Sequence, residues 1–284
     1  MQNVDMALPF EESLTDILGE YTRRSILAGH SERTIKSKTS LVLRLQRSGV
    51  SPLDATSDEL AEWVASLDLS RSSRATYRTQ LRAWFAWLAE TGRREDNPAE
   101  GLPQVRVPRG TPHPLTPKQV QAVLAACTDS RARQTRAYVL LAAYAGLRAH
   151  EIAKIRGEDI GEHELTVVGK GGVASTVPLP PVLARLAEQM PQLDWWFPSP
   201  TGEGPVSRVS VSIAIQRAFQ RAGIQAVPHS LRHFYCTQAL RSSGGDLRLT
   251  QRLARHASPA TTAIYTQVLD EAAAAAVVAI PGAE

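Results

Sequence analysis

The segment NPAEGLPQVRVPRGTPHPLTP, Asn97 to Pro117, sets the strongest limit on what this chain can fold into. Five prolines fall in its last fifteen residues. Each lacks a backbone donor and fixes φ, so no helix interior or central strand runs through it. The chain has 284 residues, longer than one core usually spans, and the proline tract is the natural place for two cores to separate. The reading is a domain over 1–96, a linker over 97–115 and a second domain over 116–284.

Before the tract, apolar residues recur at intervals of three and four, which predicts helices over 10–28, 31–47, 57–66 and 70–91. Ser31 with Glu32, and Ser57 with Asp58 and Glu59, read as N-terminal caps with first-turn acids. Gly29, Gly49 and Gly92 punctuate the far ends. After the tract the pattern predicts helices over 116–127, 132–145, 181–189, 206–222, 230–241, 247–254 and 259–265, with a tail helix over 270–281. One small sheet interrupts them. Its strands, 165–168 and 174–177, are joined by Gly169-Lys170-Gly171-Gly172, a hairpin turn with Lys170 at the tip.

Basic residues in the first domain fall in rows. Arg71, Arg74, Arg78 and Arg82 form one, and Arg33, Lys36, Ser40, Arg44 and Arg47 the other, with no acid interrupting either. Like charges at i,i+4 repel by a few tenths of a kcal/mol per pair. Such rows suit an anionic partner, and DNA phosphates are the reading preferred over a merely solvated face. The overall balance, 32 Lys+Arg against 28 Asp+Glu, permits a polyanion without requiring one.

Cys127 and Cys236 stand singly in apolar helical patterns, so neither a disulfide framework nor a thiolate metal site is expected, and a reducing cytoplasm fits. The N-terminus has acids where a secretory signal needs a basic n-region, and no apolar run approaches a membrane span. A soluble cytoplasmic protein with no membrane partner is expected.

The second domain holds a chemical set. AGLRAHE puts Arg148 and Glu151 three apart at a helix start, HSLRH puts His229 three before Arg232 with His233 next, and RHASPATTAIY puts His256 nine before Tyr265. Two arginines, several histidines, a hairpin lysine and a tyrosine suit a phosphodiester, because the guanidinium fork matches two phosphate oxygens and stays charged. Each also has a plainer reading, as a surface arginine, an ion-pair carboxylate or a packed aromatic. His229 and His233 lack the glutamate of H-E-x-x-H, and Gly169-Lys170 is not a P-loop, so neither zinc hydrolysis nor ATP chemistry has its motif.

Taken in order, the boxes AGLRAHEIAKI, VVGKGGVASTVPL, HSLRHFYCTQAL and RLARHASPATTAIYTQV resemble the catalytic domain of the tyrosine recombinases, the phage integrase and Xer family. The resemblance covers roughly residues 10 to 275. It implies a mainly α fold: a four-helix, SAM-like core-binding domain followed by an α-rich catalytic domain with a small antiparallel sheet, together a C-shaped clamp around DNA. It implies Tyr265 as nucleophile, Arg148 and Arg232 as phosphate clamp, His229 and Lys170 as proton-handling groups, His256 as a further donor and Glu151 as support. No cofactor and no metal are implied. Double-stranded DNA at specific sites is the implied substrate, with a monomer in solution assembling as a tetramer through the C-terminal tail, and an accessory directionality factor as a further partner.

The chemistry is physically coherent. A phenol with pKa near 10 is ionised in about one molecule per thousand at pH 7, so it needs a base and a positive field. The covalent 3′-phosphotyrosine conserves bond energy for resealing. Two positions depart from the family pattern: Val173-Ala174-Ser175-Thr176 carries no second base after the hairpin lysine, and Arg255 stands where glycine is usual. With few residues before Phe10, a separate arm-binding domain is not expected. Three functions remain: a compact integrase, which is favoured, a Xer-type resolvase of chromosome or plasmid dimers, and a non-catalytic DNA-binding regulator on the same fold.

Overall fold

The computed structural model describes residues 12–108, 114–169 and 172–256. The chain divides into two compact units, Met1–Arg109 and Gly110–Glu284.

Among the described residues the first unit has four α-helices: α1 Leu14–Leu27, α2 Glu32–Arg47, α3 Ser57–Ser66 and α4 Arg71–Glu90. Their inner faces bury Tyr21, Leu45, Leu60, Trp84, Phe85 and Leu88. Trp84 lies edge-on to Tyr21 with ring centroids 5.0 Å apart, and its indole N–H donates to Pro52 O at 2.7 Å, so its polar edge is satisfied while its face packs. One expected helix start and one expected cap are corrected, while the third helix keeps its expected bounds. The first helix begins at Leu14 rather than Phe10, because the Ser13 hydroxyl accepts from Asp16 N–H and caps it; Phe10 itself lies outside the described residues. The third is capped by Thr56, not Ser57. Glu59 at the N3 position closes a capping box by accepting the Thr56 N–H at 2.8 Å, and N3 falls on Glu59 only if Thr56 is the cap.

The proline tract opens with a 3-10 turn, Pro98–Glu100, and runs on without regular structure to 108. In the second unit α5 Pro117–Ala125, α6 Ala132–Tyr144, α7 Ala149–Ile152, α8 Pro181–Ala187, α9 Arg208–Arg221, α10 His229–Ser242 and α11 Leu247–Ala254 surround a core that includes Val123, Leu141, Ile152, Ile215 and Phe219. Helices α5, α8 and α9 are shorter than their apolar patterns suggest. Thr116 and Ser207 each cap from just outside a helix, and α8 starts at Pro181 as expected but ends at Ala187, with Glu188 as its C-cap. Strands β1 Glu164–Val168 and β2 Ala174–Pro178 pair antiparallel with Leu165 opposite Val177, both buried. Lys170 and the helices expected over 259–265 and 270–281 lie outside the described residues. Among the described residues no helix is long and apolar enough to cross a membrane.

Candidate active site

The site is built where the α6–α7 turn, the start of α10 and the end of α11 meet. Gly146 makes that turn, with φ at +62°. A Cβ there would collide with the Tyr235 ring of α10, so both the backbone conformation and the close approach require glycine. The turn presents Leu147 to the core and Arg148 outward, with α7 starting directly after it.

Arg232 is buried, 1% exposed, and its two terminal nitrogens donate to the carbonyls of Gly146 and Ala254. One guanidinium therefore staples the turn before Arg148 to the end of α11. Burial and then the nearby Arg148 lower its pKa to about 10, which leaves it fully charged at neutral pH. Arg148 is more open. Its side chain is 35% exposed, and one nitrogen donates to Glu151 Oε1 at 2.9 Å.

Glu151 is the hub. Its side chain is 1% exposed, and its second oxygen accepts from the Arg148 backbone N–H at 2.8 Å and from Arg255 at 3.0 Å. Burial pushes the carboxyl up, but Arg255, the Arg148 N–H and the guanidiniums of Arg148 and Arg232 outweigh it and hold Glu151 below the ordinary carboxylate range.

Three histidines complete the cluster. His229 stands at the exposed first position of α10, and its ring lies 4.7 Å from that of His233, edge to face. Arg148 and His229 line one cavity of about 260 Å³, with Leu147, Ile152 and Ile215 as apolar walls. His256 is buried, and its backbone is locked by reciprocal bonds with Gln251 at 3.1 and 3.2 Å. Desolvation foremost, then the surrounding cations, pushes both His229 and His256 down to about 4, so both are neutral at pH 7. Among the described residues no three His, Cys, Asp or Glu side chains are grouped to hold a metal ion.

Of the residues singled out by sequence, Arg148, Glu151, His229, Arg232 and His256 share this neighbourhood. Lys170 and Tyr265 lie outside the described residues. Sequence reasoning missed one contributor, Gly146, and named two others, His233 and Arg255, without fixing their roles. Gly146 supplies the carbonyl that holds Arg232, and the Gly–x–Arg spacing could have flagged it. His233 is the ring partner of His229. Arg255 pairs with an acid, and that acid is Glu151.

In the first unit, α2 and α4 lie side by side, with Gln80 donating to Ser37 at 2.9 Å and the Arg44 guanidinium 5.7 Å above the Tyr77 ring. Arg33, Lys36, Arg44, Arg47, Arg71 and Arg74 are exposed, while Arg78 and Arg82 are half-buried. Among the described residues none of the eight forms an ion pair with a carboxylate. Arg71, Arg74 and Arg78 rim a groove of about 430 Å³ floored by Val64 and Leu102, and Arg106 from the proline tract adds a fourth cation there.

The sequence matches the phage integrase family over residues 113–272. Among curated relatives, the tyrosine recombinase XerA of Pyrococcus furiosus is 30% identical over 264 residues, 89% of this chain and 90% of the relative. XerC of Xanthomonas campestris is 33% identical over 211 residues, 70% and 65% respectively. Among solved structures, a lambda integrase dimer bound to a COC' core site aligns with a TM-score of 0.73 at 19% identity, covering 89% of this chain and 77% of that one. That likeness shows the same mainly helical fold.

Proposed function

The chain belongs to the phage integrase family, and from that premise we propose that this site-specific DNA recombinase cuts and rejoins double-stranded DNA through Tyr265. The observation that carries the assignment is the convergence of Arg148 and His229 on one cavity, with Arg232 stapled to the turn that bears Arg148. Arg148 and Arg232 hold the scissile phosphate and stabilise the charge that builds on its oxygens, a preorganised term worth about 3 to 4 kcal/mol per well-placed donor. Neutral His229 accepts the phenol proton as the Tyr265 oxygen attacks phosphorus. The 5′-oxygen leaves with a proton from Lys170, and a 3′-phosphotyrosine remains. Attack by a 5′-hydroxyl of another strand reverses the step and reseals the DNA, with His256 as a further donor to the phosphate. The rows on α2 and α4 hold the flanking duplex by its backbone.

Integration and excision of mobile DNA by a compact enzyme is the preferred role, supported by the two departures from the family pattern at Arg255 and at Val173-Ala174-Ser175-Thr176. Full-span relatives that are Xer recombinases favour a second reading, resolution of chromosome or plasmid dimers. The protein is proposed to work in the cytoplasm, as a monomer that assembles as a tetramer on paired sites through residues 270–281, with an accessory factor setting direction.

The test is to incubate wild type and Tyr265→Phe with nicked DNA carrying candidate sites and to look for a denaturation-resistant adduct. It forms with wild type only. An adduct that persists in the Phe variant rules out Tyr265 as the nucleophile.

A further inference from the structure

Arg255 occupies a backbone conformation that most side chains avoid. It follows the last residue of α11 with φ at +52° and ψ at +46°, in the left-handed region where glycine would be unstrained. Its side chain is only 9% exposed, so it is not a solvated terminus. One terminal nitrogen donates to Glu151 at 3.0 Å and lies 3.4 Å from Gly146 O, and the other is 3.5 Å from Ala145 O. The side chain thus runs from the end of α11, one residue before His256, back under the turn that presents Arg148.

Electrostatically, the arrangement decides what Arg148 can do. Glu151 is a fully buried carboxylate, and alone with Arg148 it would draw that guanidinium into a closed pair. With Arg255 on one oxygen and Arg148 on the other, the triad carries a net positive charge, and Arg148 keeps outward donors. Arg232 braces the same turn through Gly146 O but does not touch the Glu151 carboxylate, so it does not replace Arg255.

We propose that Arg255 is a positioning residue for DNA cleavage: by sharing Glu151 with Arg148, and tying the end of α11 to the 145–151 turn, it holds the free face of Arg148 toward the scissile phosphate. The inference rests on the recombinase reading above. Arg255 itself need not touch DNA.

The test uses the full chain with Arg255→Gly, Arg255→Met and Arg255→Lys. Glycine fits the left-handed backbone, methionine keeps the bulk without charge, and lysine keeps the charge. Adduct formation on nicked DNA is timed at saturating protein, and DNA affinity is measured separately. Gly and Met slow adduct formation about tenfold or more with affinity unchanged, and Lys recovers most of the rate. Wild-type rates in Gly and Met overturn the proposal, as does a loss that appears as weaker DNA binding, which would make Arg255 a DNA contact. Equal loss in Lys and Met removes the shared-charge argument. If wild type also fails to form adduct, the recombinase reading fails with it; a normal wild type beside an unaffected Gly variant sinks this inference alone.

Discussion

In the first unit the arginines of the two rows are exposed or, at Arg78 and Arg82, half-buried, with Arg78 donating to Leu102 O at 2.8 Å, and none pairs with a carboxylate, whereas in the second Arg232 and Arg255 are buried, tied to backbone carbonyls, and Arg255 also to Glu151. The first unit does pair arginines elsewhere: Arg24 with Glu90, Arg93 with Glu12 and Glu20, and Arg94 with Asp96. Leaving the rows unpaired is therefore a feature of those faces, not of the whole domain. Exposed guanidiniums give affinity that counterions compete for, while buried, pre-oriented ones cannot reorganise and act on the charge that develops during reaction. Under the proposed function, the difference fits a division in which one unit holds DNA and the other carries the chemistry.

The largest effect that sharpens this division is at Arg232. Arg232→Ala removes the proposed clamp donor and the staple between Gly146 and Ala254, so the cleavage rate falls by about a hundredfold to a thousandfold while DNA affinity changes little. Single-turnover adduct formation beside a binding isotherm checks it, and an affinity loss of equal size would erase the distinction between units.

Next is Glu151→Ala, which leaves the buried Arg255 charge without its partner. Breaking such a pair destabilises by about 3 kcal/mol. Denaturant unfolding of the full chain measures it. Removing an exposed-row arginine such as Arg44 changes stability by far less, and similar losses at both positions would contradict the contrast.

The smallest effect is in pH. His256 titrates near 4 in the folded chain, mainly through burial, and near 6.5 when unfolded. Between those values the unfolded state binds more protons. Its contribution is thus complete above pH 6.5 and is lost as pH falls toward 4, worth about 1 kcal/mol after solvent screening. Unfolding midpoints taken from pH 7 down to 4 fall less steeply for His256→Gln than for wild type.

Most helices were legible because their apolar residues keep helical spacing, and the hairpin because its strands alternate around a glycine turn. Cap positions were less so. Thr56 and Ser57 are adjacent and both able to cap, and only the reach of Glu59 separates them. In the site, Arg148 with Glu151 and His229 with Arg232 were readable as neighbours three apart on a helix. The tie between Arg255 and Glu151 spans 104 positions and depends on how α11 ends, which no local pattern encodes. Likewise Arg106 sits in an irregular segment, where no periodicity marks the face it joins.

The division of labour meets its most direct test in one paired measurement on Arg71→Ala/Arg74→Ala/Arg78→Ala and on Arg148→Ala. DNA affinity is followed across salt concentrations, and cleavage is timed at saturating DNA. The account predicts that the triple variant lowers the slope of log affinity against log salt by about 0.9 per lost phosphate contact and cleaves at the wild-type rate once bound. For Arg148→Ala it predicts a slope lowered by no more than the one scissile-phosphate contact, about 0.9, with slow cleavage. A triple variant that binds normally but cleaves slowly, or an Arg148→Ala that loses its salt dependence, would contradict it.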